Sequence, residues 1–276
     1  MKANVDGVTL GYDECGTGPA LVLLHGFPFD RRIWRKQMEP LSSAGYRVIA
    51  PDLPGFGESE TGNGFSVASD ADVIAGLLTY LGVGRAVFCG LGLGGRVLFE
   101  LLERHPQRLA GVCFAATAIR PWDEIEGPAL EEFEQSVLSG QGRAFLEAVE
   151  RLFWAGAEEL KDSATREEML TQAAGCDSLS LAGGLGALCE RKDYTDLARN
   201  LKRPALVLAG ESDRIIPPGE CRFLAASLPR FSFRTIPRAG HLANLEQAEI
   251  FNEALLAFLA GLYQRFSGYC GLGEVA

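Results

Sequence analysis

The sequence has no run of 18 uninterrupted apolar residues, no Lys/Arg run, no Cys-x-x-Cys pair and only three histidines in 276 residues. Each absence excludes something. Without a long apolar run there is no candidate transmembrane helix, and the opening MKANVDGVTL lacks the apolar centre of a signal peptide. The expectation is a cytoplasmic protein with no membrane partner. Lys+Arg 26 against Asp+Glu 36 gives a formal charge of −10. Nucleic acid is therefore not an expected partner, because its binding needs clustered positive charge to release counterions. The seven cysteines, at 15, 89, 113, 176, 189, 221 and 270, are odd in number and suggest neither a disulfide framework nor a zinc site. They read as reduced thiols, with Cys89 and Cys113 in buried strands. No His/Cys/Asp cluster stands at ligand spacing, so no metal or organic cofactor is expected.

What is present is an ordinary globular composition, 47% hydrophobic and 22% charged with 33 glycines. Short aliphatic runs at Ala20–Leu24, Tyr46–Ala50, Ala86–Cys89, Gly111–Ala116, Ala205–Leu208 and Ser232–Ile236 alternate with amphipathic stretches. That rhythm predicts an α/β architecture, a mostly parallel central sheet with helices on both faces. Runs such as ALVLL and ALVLA fit strands buried on both sides, whereas Val8–Asp13 alternates and reads as an antiparallel edge strand. Between residues 121 and 200 the rhythm gives way to helical patterns at Ala129–Leu138, Ala144–Phe153, Thr165–Ala174 and Leu179–Cys189. Too long for a loop, this stretch is expected to be an inserted helical subdomain on a core made of residues 1–120 and 201–276. Gly183, Gly184 and Gly186 weaken its last helix. Asn244–Phe266 reads as a closing helix, and the Gly-rich tail from Ser267 as a frayed end.

In open α/β sheets, ligands gather beyond the carboxyl ends of the strands. Five segments lie there: His25-Gly26-Phe27-Pro28, Asp52-Leu53-Pro54-Gly55-Phe56-Gly57-Glu58-Ser59, Gly90-Leu91-Gly92-Leu93-Gly94-Gly95 before a helix at Arg96–Arg104, Asp213 in GESDRIIP, and His241 in RAGHLANLE. The glycine after Ala20–Leu24 allows a sharp turn that leaves the Phe27 N–H facing a ligand oxygen. Asp213 also suits the N-cap of a helix over Ile215–Leu228. Gly90, Gly92 and Gly95 satisfy a Gly-x-Gly-x-x-Gly dinucleotide spacing, but that reading leaves the other four segments unexplained.

These five segments, in this order, resemble the α/β-hydrolase fold superfamily over nearly the whole chain. The resemblance implies that the inserted helices are a cap and that the chemistry is hydrolysis of small carboxylic esters, lactones or thioesters. Its elbow reads Gly-x-nucleophile-x-Gly, usually with serine at the centre. Aligned on Gly90 and Gly94, this chain has Gly92 there, a residue with nothing to attack with. Cys89, three residues earlier and inside the strand, is the nearest nucleophilic atom and a poor candidate. The resemblance casts His241 as general base, Asp213 as the acid that orients it, Phe27 and Leu93 as donors of an oxyanion hole, and His25 as a scaffold for that loop.

Other positions read structurally: His105 as an exposed helix-end residue and Ser59 as a loop cap. Trp122, Phe133, Phe145, Phe153 and Trp154 are aromatic residues of the cap, of which Trp122 and Trp154 are the candidates for pocket lining. Arg143, Arg151, Arg166 and Arg191 fit solvated helix faces. With glycine at 92, three readings stay open. The chain is a serine hydrolase inactivated by substitution, an enzyme in which His241 and Asp213 perform general-base chemistry without a covalent step, or a ligand-binding protein that kept the pocket.

Overall fold

Ala20–Leu24 (β3) and Ala205–Gly210 (β7) are buried at every position, as continuous apolarity requires of strands covered on both faces. They belong to one eight-stranded sheet. The computed structural model describes residues 1–62, 64–121, 128–139, 142–154, 163–189 and 192–267. The other strands are β1 (Lys2–Val5), β2 (Val8–Cys15), β4 (Arg47–Pro51), β5 (Ala86–Leu91), β6 (Leu109–Ala115) and β8 (Phe231–Ile236). Their order is β1-β2-β4-β3-β5-β6-β7-β8, antiparallel from β1 to β4 and parallel from there on.

Helices cover both faces. They are α1 (Arg35–Ser43), α2 (Val67–Tyr80), α3 (Leu93–Arg104), α4 (Pro128–Leu138), α5 (Arg143–Phe153), α6 (Ser163–Gly175), α7 (Ser178–Leu188), α8 (Thr195–Arg199), α9 (Pro218–Ser227), α10 (Ala243–Glu246) and α11 (Ala248–Ser267). α1 packs with α11, and α2 with α3. Helices α4 to α7 form the inserted helical cap. Its interior is aromatic, with Phe133 meeting Phe153 edge to face at 5.1 Å and Phe145 at 6.4 Å. The cap is anchored on the core through Arg35, which donates to Thr165 Oγ1 at 2.8 Å, and Ser180, whose hydroxyl donates to the Gly55 carbonyl at 2.6 Å.

The structure corrects several boundaries. The edge strand is β1, not the Val8–Asp13 stretch, which lies second in the sheet. Lys2–Val5 and β2 form a hairpin closed by Asp6 and Gly7, both at positive φ (50° and 89°). Asp-Gly is the residue pair such a turn favours. The helix expected from Ile215 begins at Pro218, because Pro217 and Pro218 fix the entry. The helix expected from Arg96 begins at Leu93. The closing helix is broken at Gln247 into α10 and α11. The tail beyond Ser267 lies outside the described residues.

Candidate active site

β5 ends and α3 begins at Gly92, whose backbone (φ 52°, ψ −110°) lies in a region that side chains with a Cβ rarely adopt. The turn presents position 92 at the carboxyl end of the sheet's interior strand. A Cβ placed there would stand 3.1 Å from Nε2 of His241 and 3.6 Å from its Cε1, with the Ala116 carbonyl oxygen next at 4.0 Å. Any side chain at 92 is therefore aimed at the imidazole.

His241 sits in the loop after β8. Its N–H donates to the Phe153 carbonyl at 2.9 Å, and its ring meets Phe153 edge to face at 5.0 Å. Nδ1 lies 3.0 Å from Oδ2 of Asp213, in the loop after β7, and both residues are buried. The other carboxylate oxygen of Asp213 accepts the N–H groups of Ile215 and Ile216, each at 2.9 Å. Asp213 thus caps a turn, as the sequence allowed, and holds His241 with its second oxygen. An ionised carboxylate only accepts, so the pair assigns the ring proton to Nδ1 and leaves a lone pair on Nε2 facing position 92.

Phe27 follows β3 and Leu93 opens α3; both border the same cavity as Gly92 and His241. Among the described residues no acceptor takes the N–H of either, as expected for the first residue of a helix. The loop carrying Phe27 is fixed from beneath by His25. Its Nε2 accepts the Leu53 N–H at 2.8 Å and its Nδ1 donates to the Gly26 carbonyl at 3.2 Å. Burial holds this imidazole below its ordinary value, offset in part by nearby Asp52. Asp52, fully buried, accepts the N–H groups of Arg31 and Glu58, each at 2.8 Å, and pairs with the Arg31 guanidinium.

The cavity is narrow, about 20 Å³, room for about one water molecule. Its walls are mainly apolar: Phe27, Phe133, Phe153, Leu188, Ile215 and Ile216. Three of these, Phe133, Phe153 and Leu188, come from the cap. The structure thus gathers Gly92, Leu93, Phe27, Asp213 and His241 at one place. The remaining sequence candidates fall elsewhere. Trp154 is buried but does not border the cavity, which its neighbour Phe153 does. Trp122 and Arg191 lie outside the described residues. Cys89 is fully buried inside β5, opposite Cys113 on β6. Ser59 bridges strands, donating to the Asp52 carbonyl at 2.9 Å and accepting the Gly11 N–H at 3.0 Å. His105 is not fully exposed; its Nε2 lies 2.7 Å from Asp72 at the far end of α3. Arg143, Arg151 and Arg166 pair with Glu147, Glu132 and Glu150 on the cap helices. Several cavity residues were missed from sequence, among them Phe133, Phe153, Leu188 and Arg96; Arg96 follows Gly92 by one helical turn and so shares its face.

A model of the alpha/beta hydrolase fold matches residues 19–248. The chain belongs to that family. A thermophilic esterase from Thermogutta terrifontis has a similar structure. It is 32% identical with a TM-score of 0.84, over 95% of this chain and 98% of that one. The enol-lactonase from Burkholderia xenovorans LB400 is 26% identical with a TM-score of 0.85, over 94% and 100%. Among sequences, the dihydrolipoyllysine-residue acetyltransferase component of the acetoin cleaving system from Cupriavidus necator is 32% identical, over 94% of this chain and 68% of that protein. In this alpha/beta hydrolase no group of three or more His, Cys, Asp or Glu among the described residues could hold a metal. No described helix is long and apolar enough to cross a membrane.

Proposed function

We propose that this protein binds small carboxylic esters or lactones in the cavity between core and cap, and that it forms no acyl-enzyme because Gly92 stands where the family places its nucleophile. The observation that carries this reading is the aim of position 92 at Nε2 of His241, 3.1 Å from an added Cβ. His241 and Asp213 supply the base and the group that orients it. The N–H groups of Phe27 and Leu93 supply a pair of donors for the oxygen of a bound carbonyl. The similarity to an esterase and an enol-lactonase supports this substrate class.

A site of this kind still binds, and it retains catalysis of a lesser kind. In a protease, loss of the triad serine costs on the order of 10⁶ in kcat, yet leaves roughly 10³–10⁴ over water from the remaining groups. The same 3.1 Å supports a second reading, general-base hydrolysis without a covalent step. A water oxygen at the point of the absent Cβ would lie within hydrogen-bond reach of Nε2. His241 would take its proton as it attacks the carbonyl, then return it to the departing alkoxide.

The test is intact-mass spectrometry after incubation with p-nitrophenyl butyrate. The protein should carry no acyl group, whereas Gly92→Ser should carry one butyryl group on the peptide that spans β5 and α3. An adduct on that peptide of the unaltered protein, or neither an adduct nor steady release of p-nitrophenol with Gly92→Ser, would overturn the proposal.

A further inference from the structure

An α-helix leaves its last carbonyls without partners of its own, and at the C-terminal end of α5 two of them are taken by the core. The Phe153 carbonyl accepts the N–H of His241 at 2.9 Å and that of Leu242 at 3.4 Å. The Arg151 carbonyl accepts from the guanidinium of Arg214, the residue after Asp213, at 3.5 Å. The cap thus grips both loops, the one that carries the base and the one that carries the carboxylate orienting it. Phe153 is buried and sets its ring edge to face on the His241 imidazole at 5.0 Å. The ring is braced there by Phe29 of the core at 5.5 Å and by Phe133 of α4 at 5.1 Å. Within the core, the His241 loop is tied just before the base, where the Gly240 N–H donates to Glu246 at 2.8 Å and the Ala239 carbonyl accepts the Ser212 N–H at 2.9 Å. The N–H of His241 itself goes to the cap.

We infer that Phe153 is the positioning residue of the base, and that His241 faces position 92 only while the end of α5 is seated on its loop. The inference rests on the reading of His241 as the base of an acyl-binding site and adds the part that the cap plays in it. At about 20 Å³ the cavity has room for about one water, so an ester enters only when the cap walls move aside. Phe153 is one of those walls. The motion that admits a ligand therefore draws its carbonyl and its ring away from His241. The base is loose while the site is open and is set again when the cap closes over the ligand, so closure completes the catalytic group and excludes water in one step.

The experiment compares the unaltered protein with Phe153→Leu and Phe133→Leu by amide hydrogen exchange, and repeats both substitutions in a Gly92→Ser background with steady-state hydrolysis of p-nitrophenyl butyrate. Phe133 borders the same cavity, but its ring meets Phe27, Phe145 and Phe153 rather than His241. Phe153→Leu should speed exchange at His241 and Leu242 by about ten-fold or more, while Val207 inside β7 keeps its rate. In the serine background it should lower kcat by about ten-fold or more and change KM by less than about three-fold. Phe133→Leu should act on KM and leave exchange at His241 as it was. Exchange at His241 or a kcat that Phe153→Leu leaves unchanged overturns the inference, as does equal acceleration by Phe133→Leu. A merely structural Phe153 would speed exchange at Val207 as much as at His241, which also overturns it. Inertness of Gly92→Ser towards the ester contradicts the acyl-binding reading, and exchange at His241 then decides the role of Phe153 by itself.

Discussion

Nε2 of His241 lies 3.1 Å from the point where Gly92 would carry a Cβ, and the opposite ring nitrogen lies 3.0 Å from Asp213. The imidazole is thus fixed between a carboxylate and a residue with no side chain. Everything the site can do follows from that spacing.

Gly92→Ala and Gly92→Ser should both destabilise the fold. At φ 52° a Cβ is strained, and 3.1 Å is a tight approach to the ring. Strain of this kind costs about 1–3 kcal/mol, which thermal melts resolve easily. The two variants should melt at similar temperatures, since the penalty comes from the Cβ. An alanine variant as stable as the unaltered protein would mean that the elbow backbone relaxes.

Two glycines of one helix should respond in opposite directions. By helix propensity, Gly→Ala on α7 gains about 1 kcal/mol. Gly186 faces open space, so Gly186→Ala should realise that gain. At Gly183 an added Cβ would meet the Phe65 ring at 1.9 Å. There the clash should win, with a loss of about 1–3 kcal/mol in denaturant unfolding. Equal effects at both positions would show that α7 does not press on the core as described.

Acid should weaken the fold through His25. Its folded value lies below the ordinary 6.5 because the ring is buried, with Asp52 offsetting part of the shift. The unfolded chain therefore binds a proton that the fold excludes, and stability rises with pH in that range. The contribution is complete above about pH 6.5 and is lost as pH falls towards the lowered folded value. The slope should approach about 1.4 kcal/mol per pH unit. Urea titrations at pH 7.5, 6.5 and 5.5 should show it, and His25→Gln should flatten it. An unchanged slope in that variant would assign the effect elsewhere. Asp72, held below its ordinary range by Arg104 and His105, acts only at lower pH.

The parallel strands were legible because double-sided burial writes itself as unbroken apolar runs, as in ALVLL and ALVLA. The site positions were legible because each lies in the loop or turn that follows a strand, although β8, which precedes His241, is mostly exposed. β1 was not read, since four residues alternating in burial carry little signal; the Asp6-Gly7 turn beside it was the available clue. Among the cap aromatics, sequence offered Trp154 where the cavity takes Phe153. Adjacent residues at a helix end point to different sides, and composition cannot choose between them. Arg96 escaped notice because a cation after a glycine-rich turn reads as solvated until α3 is seen to be buried along most of its length.

The account turns on whether the site lacks only its nucleophile. The measurement that tests this most directly is the hydrolysis rate of short p-nitrophenyl esters by four proteins: unaltered, Gly92→Ser, His241→Ala and the double variant. Gly92→Ser should gain activity that falls roughly 10³-fold or more in the double variant, since nucleophile and base act as a unit. A serine variant that stays inert, or whose activity ignores the loss of His241, would contradict it.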